Sequence, residues 1–280
     1  MLRRLQPAST LFAIGMIGLG ILALVFGDFA LVWQPVAAWV PGRTALAYLS
    51  GVLMLCGGIG LLVPATRKWA IRCLFPYLIV WVLLKVPACV VAPKMEAVWL
   101  GIGELIVLMC GGWVLFANFG NFREGSAFAF LTSERAMWFA KNLFAIAIIP
   151  IGLSHIIYLK QTVGFVPAWL PPNREFWAYL TGAGQIASGL GILFSVLPKI
   201  AAWAEAMQIS LYTLLVWVPA IVAAPKTRLP WTAFFISWAI GAGAWVMAQE
   251  LVNETVKERA RTGEPTIPPS KMKRDKVNKY

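Results

Sequence analysis

The chain has 280 residues, 60% hydrophobic and 13% charged, with a mean hydropathy of +0.74 and a formal net charge of +12. This composition excludes an ordinary soluble domain. Its long apolar runs must be helices, because a backbone in lipid satisfies its hydrogen bonds internally and the runs lack the alternation of barrel strands. The positive charge does not point to nucleic acid, since basic residues sit in short segments beside apolar runs and a basic tail suits anionic lipid headgroups.

In chain order the apolar runs predict eight spans, near 11–26, 46–63, 73–92, 98–118, 142–159, 177–197, 206–224 and 231–249. Arg3 and Arg4 before the first run resemble a signal peptide, but Leu11-Phe12-Ala13-Ile14 recurs as Leu143-Phe144-Ala145-Ile146, so the first span is expected to be retained. Other landmarks repeat at nearly the same offset. Trp39-Val40-Pro41 answers to Trp169-Leu170-Pro171, and Tyr48-Leu49-Ser50-Gly51 to Tyr179-Leu180-Thr181-Gly182. Pro87, Pro93, Lys94, Trp99 and Trp113 recur 132 residues later as Pro219, Pro225, Lys226, Trp231 and Trp245.

These matches predict a tandem duplication. The predicted fold class is an all-α polytopic membrane protein, eight transmembrane helices forming two parallel-repeat four-helix bundles. Residues 1–118 form the first repeat, 119–141 a cytoplasmic linker, 142–249 the second repeat and 250–280 a charged cytoplasmic tail. The last span is expected to continue as a solvated helix through Arg261, before Pro265, Pro268 and Pro269 stop it. With the N-terminus cytoplasmic, 17 Lys/Arg fall on that side and six on the other, which places both termini in the cytoplasm. An even number of spans per repeat gives the halves one orientation.

Small residues in the second and sixth spans, among them Gly57, Gly58, Gly182 and Gly189, read as sites of close helix packing. The loops from Gly27 to Arg43 and from Phe165 to Pro172 carry Trp33, Trp39 and Trp169 and suit the outer interface. Pro87 and Pro219 occupy matching positions inside the third and seventh spans and should kink both.

Intramembrane polar residues are costly, and each is a functional hypothesis. Lys85 and Glu104 lie on neighbouring antiparallel spans at similar depth, about 12 Å below the outer surface at a rise of about 1.5 Å per residue, so an ion pair between them is predicted. Their repeat counterparts, Trp217 and Ile236, lack both charges together. In the second half, His155, the only histidine, and Gln185 are candidate ligand-binding residues, with Tyr158, Trp169 and Trp177, beside Tyr179, as an aromatic rim. One histidine cannot supply bis-His haem ligation or a His-rich metal site, so no metal is expected. Cys56, Cys73, Cys89 and Cys110 lack the vicinal spacing of a thiol-disulfide enzyme.

Gly152-Leu153-Ser154-His155, the Val166–Pro171 loop, Tyr179-Leu180-Thr181-Gly182, Gln185 and Gly189-Leu190-Gly191 together resemble the DoxX-like family of bacterial inner-membrane proteins. The resemblance covers roughly residues 141–251 and extends more loosely to the first repeat, so the chain resembles two fused DoxX-type units. It implies a bacterial inner-membrane protein with lipid, and a redox protein or membrane complex, as partners. Quinone is implied as a cofactor by the resemblance alone. The favoured reading is a non-catalytic subunit or scaffold of a membrane redox or envelope-stress system. A small-molecule or lipid permease is the alternative, and a quinone- or lipid-modifying enzyme using His155 is a further one.

Overall fold

The computed structural model describes residues 7–262, apart from 31, 32, 124 and 127, with side chains as far as 254. Among these residues the structure is all helical. Ten α-helices follow in order: α1 (Pro7–Phe26), α2 (Arg43–Leu62), α3 (Arg67–Val91), α4 (Glu96–Phe119), α5 (Glu134–Ile157), α6 (Leu159–Phe165), α7 (Arg174–Leu193), α8 (Pro198–Tyr212), α9 (Val218–Ala223) and α10 (Arg228–Thr262). A 3₁₀ turn, Ala129–Thr132, precedes α5, and a π-helical segment, Thr213–Trp217, joins α8 to α9.

Among the described residues, seven segments are long and apolar enough to cross a membrane: α1 to α5, α8 with α9, and α10 as far as Glu254. The expected sixth span, α7, is a 20-residue helix but is not among them, because Gln185, Thr181, Ser188 and its glycines lower its hydropathy. The expected linker is also shorter than 119–141: Ser133 accepts from Ala136 N and starts α5 at Glu134. The expected helical extension of α10 runs to Thr262, while the rest of the predicted tail lies outside the described residues, as do Arg3 and Arg4.

Helix pairs meet where glycine removes the side chain. A Cβ placed on Gly20 would come within 2.8 Å of Gly51 O, and one on Gly152 within 2.6 Å of Gly182 O. Likewise Gly58 abuts Ala13 O, and Gly189 abuts Ala145 O, each at 2.7 Å. The α1–α2 and α5–α7 contacts therefore use residues 131 or 132 positions apart. Between the halves, α4 packs on α5, α10 on α1, and α4 on α10. The last of these crossings joins Gly111 to Gly243, and further along it Asn118 Nδ2 donates to Glu250 at 3.0 Å. Such backbone approach supplies dispersion contacts where lipid offers no hydrophobic drive for association.

Arginines close the helix ends on one side of the bundle. Arg67 Nε donates to Leu61 O at 3.1 Å, and Arg72 donates to Gly120 O and Asn121 O at 2.9 and 3.0 Å, which sets cationic groups at the carbonyl ends of α2 and α4.

The loop after α1 departs from the interfacial reading. Trp39 is exposed, but Trp33 is fully buried and Gln34 nearly so. Gln34 Nε2 donates to Ser50 Oγ at 3.0 Å and to Tyr77 OH at 2.6 Å, and its Oε1 accepts from Ala30 N at 3.0 Å. Phe29 packs edge-on against Trp81. Asp28 then clamps the loop to α2 and α10 through Arg43 and Arg228. Trp33 and Gln34 thus fill the space beside α2 and α3, with the Gln34 amide fully bonded and Trp33 Nε1 left without a partner.

Candidate functional site

In the second half the counterpart loop leaves Trp169 exposed and lines the smaller of two adjoining cavities with Val166, Pro167 and Leu170. A cavity of 430 Å³ opens between α4, α5, α6, α7, α8 and α10, lined by Glu104, Tyr158, His155, Gln185, Gln208 and Tyr212 among others. It is shared by both halves, because Glu104 comes from α4 of the first half while His155 and Gln185 come from the second. A second cavity of 390 Å³ adjoins it. His155, Thr162, Thr181, Gln208 and Tyr212 line both, and the remaining wall of the second is almost wholly apolar, with Val166, Leu170, Trp177, Leu180, Met207 and Leu211.

The dividing wall is held by a chain of hydrogen bonds. Thr181 Oγ1 donates to Trp177 O at 2.8 Å, so its lone pair accepts from His155 Nδ1, also at 2.8 Å. That assigns the proton of neutral His155 to Nδ1 and leaves Nε2 as an acceptor. Gln208 Nε2 donates to Thr181 O at 2.8 Å, tying α8 to the same turn of α7. The Tyr212 ring lies 6.3 Å from the imidazole, centroid to centroid.

Beneath this wall Gln185 Nε2 donates to Glu205 Oε1 at 3.2 Å. Gln185 is 4% exposed and Glu205 not at all, yet Gln185 Oε1 and Glu205 Oε2 have no hydrogen-bond partner. Two unpartnered buried acceptors in one contact are expensive.

Of the residues singled out in the sequence, His155, Gln185 and Tyr158 come together in the larger cavity, and Trp177 lines the smaller one. Tyr158 OH accepts from Ala97 N at 3.1 Å, bracing the first turn of α4. Trp169 and Tyr179 are exposed and line neither cavity. Trp177 Nε1 is occupied by Pro171 O at 2.7 Å.

Lys85 and Glu104 are not joined directly: Lys85 Nζ donates to Gly101 O at 3.1 Å, one turn before Glu104, whose carboxyl faces the cavity. The ammonium remains within electrostatic range of it. The reason is local, since glycine at 101 exposes a carbonyl that the lysine reaches first; a Cβ there would sit 2.7 Å from Nζ.

Pro87 lies inside a continuous α3, whereas the counterpart span breaks. The π segment Thr213–Trp217 precedes Pro219, whose ring and missing N–H disfavour regular α-helical bonding to residue 215. Thr213 Oγ1 donates to Ile209 O and Trp217 Nε1 to Ser237 Oγ across this bulge, just beyond Tyr212.

The sequence reading missed Glu205, Gln208 and Tyr212. Their signal was present as a polar stripe at i, i+3 and i+7, one face of a helix, but a span begun at 206 left Glu205 outside it.

A DoxX family model matches residues 136–218. The match includes His155, Thr181, Gln185, Glu205, Gln208 and Tyr212, and excludes Glu104. No curated protein and no solved structure matches the chain.

Proposed function

We propose that this chain, which carries a DoxX segment at residues 136–218, is a membrane protein that binds a small amphipathic molecule between two four-helix units. The observation that carries this reading is the shared cavity, where Glu104, His155 and Gln185 gather polar groups inside an apolar bundle. In this reading α7 is an eighth span, packed on α5 and α8 with Tyr179, Leu180 and Leu190 on its outer face, and the halves are parallel repeats. The recurring contacts Gly20–Gly51 and Gly152–Gly182 support that arrangement. So do the matched bonds from Trp99 Nε1 to Pro93 O at 2.9 Å and from Trp231 Nε1 to Pro225 O at 2.8 Å. Both termini face the cytoplasm of a bacterial inner membrane, as the basic bias of the loops argues. The first unit, with its loop folded inwards, is the scaffold, and the second holds the ligand.

A second reading follows from the DoxX match: the protein is a non-catalytic subunit that brings a redox partner to the membrane, with a quinone as the bound molecule. Native purification in mild detergent, followed by mass spectrometry, separates the two. A small molecule held by wild type and lost from folded His155→Ala and Gln185→Ala proteins supports the binding site. A redox protein retained stoichiometrically by all three, with no small molecule, overturns it in favour of the subunit.

A further inference from the structure

We infer that the ligand is a single-chain amphiphile with an uncharged or cationic headgroup that donates hydrogen bonds, its headgroup at Glu104, His155 and Gln185 and its chain in the apolar groove along α7 and α8. This rests on the cavity being a binding site. Headgroup chemistry follows from what burial leaves unpaired. Gln185, which lines the cavity, has Oε1 without a partner, and His155 Nε2 is an acceptor because Nδ1 donates to Thr181. Glu104 adds a carboxyl to the same space. A headgroup bearing hydroxyl or amine hydrogens satisfies such atoms, whereas one offering only acceptors leaves them unsatisfied. No Lys or Arg is among the described residues that line the cavity, and Lys85 is already on Gly101 O, so an anionic phosphate or carboxylate headgroup finds no cation there.

The chain follows from the adjoining groove. It shares His155, Thr162, Thr181, Gln208 and Tyr212 with the polar cavity, so a molecule with its headgroup in one chamber and its chain in the other passes beside this common wall. Leu180, Met207 and Leu211 line the groove and are each almost half exposed on the outside of the bundle, the surface that lipid covers. At 390 Å³ the groove suits one hydrocarbon chain rather than two.

The test uses the full chain in lipid nanodiscs with three isotope-labelled probes: a medium-chain monoacylglycerol, the methyl ester of the same fatty acid, and glycerol. The monoacylglycerol carries both donors and chain, and the other two each lack one. It should be retained at about one per chain, the methyl ester about tenfold more weakly for each lost hydrogen bond, and glycerol not at all. Gln185→Leu should bring the monoacylglycerol down towards the methyl ester, and Leu180→Trp, an exposed position that leaves the core untouched, should weaken both. Equal retention of monoacylglycerol and methyl ester overturns the donor headgroup while leaving the binding site standing, and glycerol binding as well as the monoacylglycerol overturns the chain. No retention of any probe, with wild type folded, defeats the binding reading itself.

Discussion

Replacing Gly111 with alanine tests how the two halves are held together. The added Cβ would lie 2.5 Å from Gly243 Cα and 3.0 Å from Gly243 O, backbone atoms that cannot rotate aside. Relief requires α4 and α10 to part by about 1 Å, and a gap of that size forfeits a quarter to a half of each dispersion contact along the crossing. Buried Val107, Leu108, Ile240 and Ala244 flank this point, so the loss is about 2–3 kcal/mol, in the usual range for overpacking. For a chain of this size that lowers the midpoint of thermal unfolding by about 5–10 °C. Cys110 is fully buried beside the mutation, while Cys56 and Cys73 are exposed and Cys89 is partly buried. In a Cys56/Cys73/Cys89→Ser background, reaction of Cys110 with a thiol dye reports unfolding. Gly164→Ala is the control, since nothing lies within 4 Å of its added Cβ. A Gly111→Ala midpoint matching that of Gly164→Ala would refute the argument that backbone contact joins α4 to α10.

Gln34→Ala should destabilise by about 2 kcal/mol, because it strips partners from Ser50, Tyr77 and Ala30 N together, yet leave ligand retention intact; loss of the ligand from the folded variant would make the loop after α1 part of the site. Burial raises the Asp28 carboxyl, but hydrogen bonds from Arg228 and Arg43 outweigh it and hold the group below its ordinary value. A depressed folded value contributes stability that is present above the unfolded value, about 4, and lost as pH falls through the lower folded one. Thermal unfolding of wild type should therefore fall more steeply than that of Asp28→Asn below pH of about 4, and parallel curves would exclude the clamp. Since Lys85 bonds to Gly101 O and reaches Glu104 only through space, Lys85→Met and Glu104→Gln should couple by no more than about 1 kcal/mol in a double-mutant cycle; a coupling of about 3 kcal/mol, as for a broken buried pair, would restore the direct pair.

Solvent and secondary structure were legible in the chain because they depend on composition and local order. Apolar runs bounded by Arg43, Arg67 and Glu96 place helices to within a few residues, and the glycines at 58, 182 and 189 mark the faces that meet. The start of α5 was misplaced because its apolar run begins later than its cap at Ser133. His155, Gln185 and Tyr158 stood out because polar side chains are rare in such runs, and hydropathy alone flags them. What hydropathy does not carry is direction across the bundle. Only tertiary packing decided that Trp33 turns inward to fill one half, that Glu104 of the first half faces His155 of the second, and that Glu205 lies under Gln185. The physical reason is that the cost of burying a polar group in lipid is a property of the residue, whereas its partner is chosen by helix rotation and by which neighbour arrives first. Lys85 shows this plainly: its charge at that depth was readable from the chain, and its bond to Gly101 O was decided by the fold.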